Sequence, residues 1–291
     1  MDMLLQHPDW LLLALAPVFL LAMVLEWHLG IRAGKLPQSA DYQWREVACN
    51  IALGAMHQLS DLLFGLLILQ LYFMVFDWRL FDIQMNFGYF LLLMLAQDFC
   101  YYWFHRASHR VRWLWAAHSV HHSSESMNFS TAFRQSLMYP VAGMWIFWVP
   151  LVIVGFPPNW VVFSVLLNLA LQFVIHTQWI KDFGPFDLIF NSPSHHRVHH
   201  GRNPQYIDRN YAGVLIIWDR LFGTFVPEVE AVDYGITKPV NSHNPLVVTF
   251  SEWRDMWRDV MAPGVSWRAR LAAVLAPPPS HGADGQSGKR R

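Results

Sequence analysis

Fifteen histidines stand in this chain of 291 residues. Ten of them fall in four places: His105-Arg-Ala-Ser-His109, His118-Ser-Val-His121-His122, His176, and His195-His196-Arg-Val-His199-His200. Imidazole is a general acid or base near neutral pH and the commonest metal ligand. The spacing favours the second use. On a helix, residues three and four apart share a face, so His105 and His109 can turn two rings toward one ion. His118 aligns with both His121 and His122, and His196 with both His199 and His200. Three such helix starts converging supply eight ligands, and His176 and His195 raise the set to ten. A protein-bound zinc takes about four, so ten imidazoles are too many for one ion and suit two. Imidazole without thiolate or carboxylate points away from calcium and magnesium and toward iron, copper, zinc or nickel. Two iron ions are the first expectation, with copper or zinc behind. His7, His28, His57, His243 and His281 lack such spacing and read as incidental.

Four other polar residues accompany the set. Asp98 lies two helical turns before His105 and is expected to accept an N–H from a ligand imidazole and so fix its tautomer. Its alternative is a structural contact with Arg134 or His57. Asn168, Gln172 and His176, four apart, form a polar stripe down an apolar segment. Polar groups inside a span face the bundle interior and mark function, although helix–helix hydrogen bonding competes for Asn168. His57 and Asp61, one turn apart, read as a mutual hydrogen bond, and Glu125 as a helix-start residue.

The elements that must carry these residues are membrane helices. Apolar residues make up 54% of the chain and charged residues only 14%, against about 25% charged in soluble domains. Lys+Arg and Asp+Glu are both 21, so an electrostatic nucleic-acid binder is excluded. Two cysteines, Cys49 and Cys100, offer neither a disulfide framework nor a Cys-rich zinc module. Four or five spans are read: Trp10–Leu25, Val47–Phe76, Ile83–Phe104, and a helical hairpin across Gln135–Ile180, which holds no Asp, Glu, Lys or Arg and turns at Gly155-Phe156-Pro157-Pro158-Asn159. Met1–Asp9 has two Asp and no Lys or Arg, so the first run is no secretory signal. Cations gather in alternate loops, which sets the N-terminus outside and the histidines and C-terminus in the cytoplasm. Expected locations are a bacterial inner membrane or an ER-type membrane.

The expected fold is therefore all-α: a polytopic bundle of four to five spans with a cytosolic helical cap carrying a histidine-rich di-metal site. The expected units are 1–82, N-terminal spans; 83–228, the catalytic domain; 229–275, cytosolic or interfacial helices; and 276–291, a disordered tail. Trp253, Met256, Trp257 and Val260 mark an amphipathic helix that suits either the headgroup layer or a cap over the cytosolic part.

These boxes resemble the fatty acid hydroxylase/sterol desaturase superfamily, nearest its alkylglycerol monooxygenase-like branch. The resemblance rests on Phe104–Ser136 and Asn191–Phe225 and covers roughly residues 90–228. It implies two irons held by His105, His109, His118, His121, His122, His196, His199 and His200, joined by His176 and His195. It also implies O2-dependent attack on a C–H bond of a lipid drawn from the bilayer. Desaturation and ornithine-lipid hydroxylation are alternatives within the superfamily. No G-x-G-x-x-G and no Cys-x-x-Cys-His is present, so an external electron donor is expected. Readings of another class are a membrane zinc metallohydrolase, which lacks a convincing water-activating carboxylate, and a metal-binding transporter, which needs ligands at mid-membrane.

Overall fold

The computed structural model describes residues 7, 8 and 10–279. The reading of Met1–Asp9 falls almost wholly outside them, and so does the expected tail from residue 280, with His281. Among the described residues the chain is helical, with two isolated β-bridges, Phe190 to Leu215 and Gly201 to Tyr234.

Helix α1 (Trp10–Leu25) runs on through a π-helical turn, Glu26–Ile31. Helix α2 (Trp44–Phe76) is 33 residues, about 50 Å at 1.5 Å per residue. Helix α3 (Phe87–Arg110) starts at Asn86, whose side chain accepts from Tyr89 N at 3.0 Å. A sharp bend at Val111 leads into α4 (Arg112–His122). Short helices α5 (Tyr139–Ala142) and α6 (Val149–Val154) precede α7 (Pro158–Gln172). The remainder holds α8 (Pro193–His199), α9 (Ile217–Leu221), α10 (Pro245–Val260) and α11 (Trp267–Leu275).

Three segments are long and apolar enough to cross a bilayer: Trp10–Ile31, Gln38–Phe76 and Pro158–Ile175. Two of the expected spans differ from this. The hairpin keeps its turn and its second arm, but its first arm is broken. Pro140 and Pro150 interrupt the backbone ladder, Gly143 sits at φ +80°, and the apolar helix that remains, Met144–Val154, is short. Gly155 is required at the turn: at φ +123° a Cβ would lie 2.0 Å from the Phe81 carbonyl oxygen. The third expected span is longer than read, continuing through His109. Gln97, Asp98 and four aromatic residues with polar tips, Tyr89, Tyr101, Tyr102 and Trp103, dilute its hydropathy, while its outer face still exposes Leu91, Leu92, Leu95, Phe99 and Trp103.

The largest apolar cluster, including Tyr72, Leu93, Phe104, Trp148, Val161 and Met256, ties α2, α3, α6, α7 and α10 together. Helix α10 lays its apolar face on α4: Trp253 meets Trp113 edge-on at 4.8 Å. Arg112 reaches Glu252 (2.8 Å) and Asp259 (2.7 Å). Of its two expected roles, α10 therefore fills that of a cap. Glu125 lies in a loop facing Arg202 at 3.4 Å and starts no helix. His57 and Asp61 do meet, at 3.4 Å.

Candidate metal centre

The histidine boxes sit at helix ends rather than starts. His105 and His109 occupy the last turns of α3, and His118, His121 and His122 close α4. His196 and His199 close α8 with His200 as its C-cap. His176 follows the single 3₁₀ turn that ends α7. Nine of the ten rings gather in two buried groups, and within each the ligand atoms all lie within 4.8 Å of one another. One group holds His105, His109, His118, His122 and His199, and the other His121, His176, His196 and His200.

The two HxxHH boxes are divided in opposite ways. At about 100° per residue, i and i+4 lie about 40° apart, while i+3 falls about 60° to the other side of i. So His118 and His122 enter the five-histidine group and His121 the four-histidine group; on α8, His196 and His200 enter the four and His199 the five. The groups abut, because His122 and His200 stack at 4.4 Å.

Backbone carbonyls fix the tautomers. The Nδ1 of His105 donates to Tyr211 O (2.7 Å), that of His121 to Arg134 O (3.1 Å), that of His176 to Gln172 O (2.8 Å), and that of His199 to Arg209 O (2.9 Å). A carbonyl only accepts, so each of these nitrogens carries the proton and each Nε2 presents a lone pair. The Nε2 atoms of His121 and His176 then face each other bare at 3.2 Å. His199 Nε2 is buried with no hydrogen-bond partner. Converging bare lone pairs repel unless a cation lies between them, and a proton is a poor candidate. Burial pushes His176 and His199 down to about 4 and holds His118, His121, His122, His196 and His200 well below the usual imidazole range. The donor set fits metal ions that accept neutral nitrogen.

His195 stands apart from both groups. Its Nδ1 lies 3.4 Å from Ser192 N in a capping arrangement that starts α8, and its ring packs edge-on against Phe225.

Asp98 touches no imidazole among the described residues. It accepts from Asn168 Nδ2 (2.8 Å), Val214 N (2.9 Å), Leu215 N (3.0 Å) and Trp218 Nε1 (2.9 Å). Its role is to pin the loop whose Tyr211 carbonyl orients His105. Gln172 donates to Asn168 Oδ1 at 2.6 Å and gives its own carbonyl to His176. Arg134 supplies its carbonyl to His121 while its guanidinium binds Val120 O, Ser123 Oγ, Asn50 Oδ1 and Glu46 Oε1.

Several supports escape the sequence reading. Asp219 takes N–H groups from Tyr211 and Ala212, both at 2.8 Å, and burial pushes its carboxyl up to about 6. Glu26 accepts from Tyr42 Oη, Phe129 N and Thr177 Oγ1, bracing the residue after His176. Tyr139 Oη lies 3.2 Å from His118 Nδ1. Asp208 and Asn210 adopt positive φ, 61° and 55°, on either side of the Arg209 carbonyl that His199 uses. The one advance signal was this pair, since Asn and Asp tolerate the left-handed region best after Gly.

Residues 90–224 match the family model of the fatty acid hydroxylase domain. Human alkylglycerol monooxygenase is 43% identical over 253 residues, covering 86% of this chain and 55% of that protein. The zebrafish (Danio rerio) alkylglycerol monooxygenase is 52% identical over 167 residues, covering 57% and 37%. An ornithine lipid hydroxylase of Rhizobium tropici is 31% identical over 149 residues, covering 50% and 45%. The chain spans about half the length, or less, of the curated relatives it matches. No solved structure matches it.

Proposed function

We propose, from the match of residues 90–224 to the fatty acid hydroxylase family, that this chain is a membrane-bound di-iron oxygenase hydroxylating a C–H bond of a lipid. The observation that carries the reading is the pair of buried groups of five and four imidazoles whose Nε2 lone pairs converge. His105, His109, His118, His122 and His199 would hold one iron, and His121, His176, His196 and His200 the other. Five imidazoles exceed the usual four of zinc, which favours iron over a zinc hydrolase. When bound, the irons supply the activation of O2 that the reaction needs. The overall balance is R–H + O2 + 2e⁻ + 2H⁺ → R–OH + H2O, with both electrons from an external donor.

The chain's own work is positional. Four carbonyls hold imidazole protons on Nδ1 and leave Nε2 as ligand atoms. Burial keeps the rings neutral, and aromatic side chains packed on them, Tyr101 and Tyr211 on His105 and Trp115 on His109, help keep water from the oxidising centre. An ether lipid is the first substrate, because alkylglycerol monooxygenases are the relatives at highest identity among those above. Hydroxylation beside an ether oxygen gives a hemiacetal that separates into aldehyde and alcohol. An ornithine-lipid substrate is the second reading, supported by the 31% relative. The cation distribution supports a topology with the N-terminus outside and the histidines in the cytoplasm, and residues 83–228 are proposed as the catalytic unit.

The test combines metal analysis of the purified protein with lipid profiling of a deletion strain. Iron near two per chain, O2 uptake on reduction and the loss of a hydroxylated lipid, or accumulation of ether lipid, are expected. Stoichiometric zinc with hydrolysis and no O2 demand overturns the reading.

A further inference from the structure

Past Lys181 the sequence reads as an aqueous region, yet the structure leaves there a continuous apolar surface. Phe186 is 64% exposed, Leu188 66% and Leu221 69%, with Ile189, Phe190 and Trp179 exposed beside them. On a water-facing domain so many large apolar side chains in one place mark an interaction site.

Two further observations identify the partner. The patch continues the outer face of α3. Trp218 packs on Phe99 at 5.1 Å, and Phe222 on Trp103 at 5.1 Å, both residues of that apolar stripe. Phe99 lies six residues before His105, about 9 Å further along the helix from the histidines. The 183–190 segment and α9 therefore reach down beside α3 and do not rise away from it. Second, this segment, most of it the 3₁₀ helix Gly184–Leu188, pairs its own backbone. Phe186 N donates to Phe183 O (3.3 Å), Phe190 N to Phe186 O (2.8 Å), Ile216 N to Ile189 O (2.9 Å) and Asn191 N to Val214 O (2.7 Å). Asp187 Oδ1 accepts from Phe183 N, and Arg220 donates to Asp187 O. Backbone entering hydrocarbon must be paired internally, whereas a water-exposed loop has no such need. Lys181, Asp182 and Arg220 stand at the margins, an apolar face with charged edges of the kind that suits a surface lying in the headgroup layer.

We infer that residues 183–190 together with α9 form a shallow insertion into the leaflet on the histidine side, making a collar of lipid contact around the outer face of α3. This goes beyond the oxygenase reading and needs neither metal nor substrate, so either can fail alone.

Spin labels at L188C and L221C, in a C49S/C100S background of the full chain in phospholipid vesicles, test it. Collision with apolar O2 is compared with collision with chromium oxalate, a water-soluble relaxant. L92C on the α3 stripe is the lipid reference, and Q205C, an exposed position in the cap, the aqueous one. Labels 188 and 221 are expected to match 92, accessible to O2 and shielded from chromium oxalate. Values matching 205 overturn the inference. Shielding from both relaxants also overturns it, since the patch is then covered by protein.

Discussion

The five-histidine and four-histidine groups draw on the same two HxxHH boxes and are closed in different ways. A small recess between Trp115, Arg202 and Gly235 reaches His109, His122 and His199 of the five. The four are backed by the spans. His176 hangs from the end of α7, and His121 rests on Arg134, whose guanidinium is locked to Glu46 and Asn50 of α2. Both groups are buried; one borders this recess and hangs from α3, and the other is braced by α2 and α7. On the proposed oxygenase reading, electrons and protons would come from water and a lipid chain from the bilayer, and the difference would then give each group its own supply.

The strongest way to break the comparison is through the shared boxes. H118A/H122A together with H199A strips the five-histidine group of three ligands. Metal analysis is expected to show one ion retained and activity abolished. Replacing the α8 box entirely should lose both ions, because it feeds both groups. If the triple variant loses both, the groups are not separable.

R134M is expected to destabilise the fold by roughly 3–5 kcal/mol, the scale for leaving one buried partner of an ion pair uncompensated. The four-histidine ion should be lost first, as read by thermal unfolding and metal content.

Acidification tests both groups together. The folded pKa values of His176 and His199 are depressed to about 4 from 6.5. Between those values the unfolded chain binds protons that the folded chain does not, so stability falls as pH drops through that window. Unfolding of the metal-free protein, followed by calorimetry at stepped pH, is expected to begin below about 6.5 and to be complete near 4.

A hydrophilic chelator should remove iron in two phases, the fast one from the five-histidine group beside the recess. H105A, which touches only that group, should weaken or erase the fast phase. A single phase shows the recess to be irrelevant to exchange. The smallest effect belongs to H195A. Its loss costs about 1 kcal/mol, the scale of a helix cap, and leaves metal content unchanged. Loss of an ion would return His195 to the ligand set.

The gathering of the histidines was legible because helical geometry converts spacing into shared faces. The opposite division of the boxes was not, since it depends on how α4 and α8 are rotated about their axes, which spacing leaves open. Asp98 was misplaced for a related reason. A buried carboxylate two turns below His105 has several partners within reach, and only the tertiary path of residues 213–218 shows that backbone N–H groups win. The broken first arm of the hairpin was hidden by the absence of charge, although Pro140, Gly143 and Pro150 were signals for it. His195 sat in a box by adjacency, yet its ring points toward the helix start it caps.

The opposite division of the boxes also bears on how the chain assembles. Either ion, once bound, joins α4 to α8 and closes the long stretch of chain between them. A cross-link closing about eighty residues is worth on the order of 4–5 kcal/mol of lost unfolded-chain freedom. The second ion closes a loop that is already closed, so it meets ligands held in place and owes almost none of that entropy. The second ion is therefore expected to bind more tightly than it would alone, and each ion serves as a clasp whose fastening prepares the other.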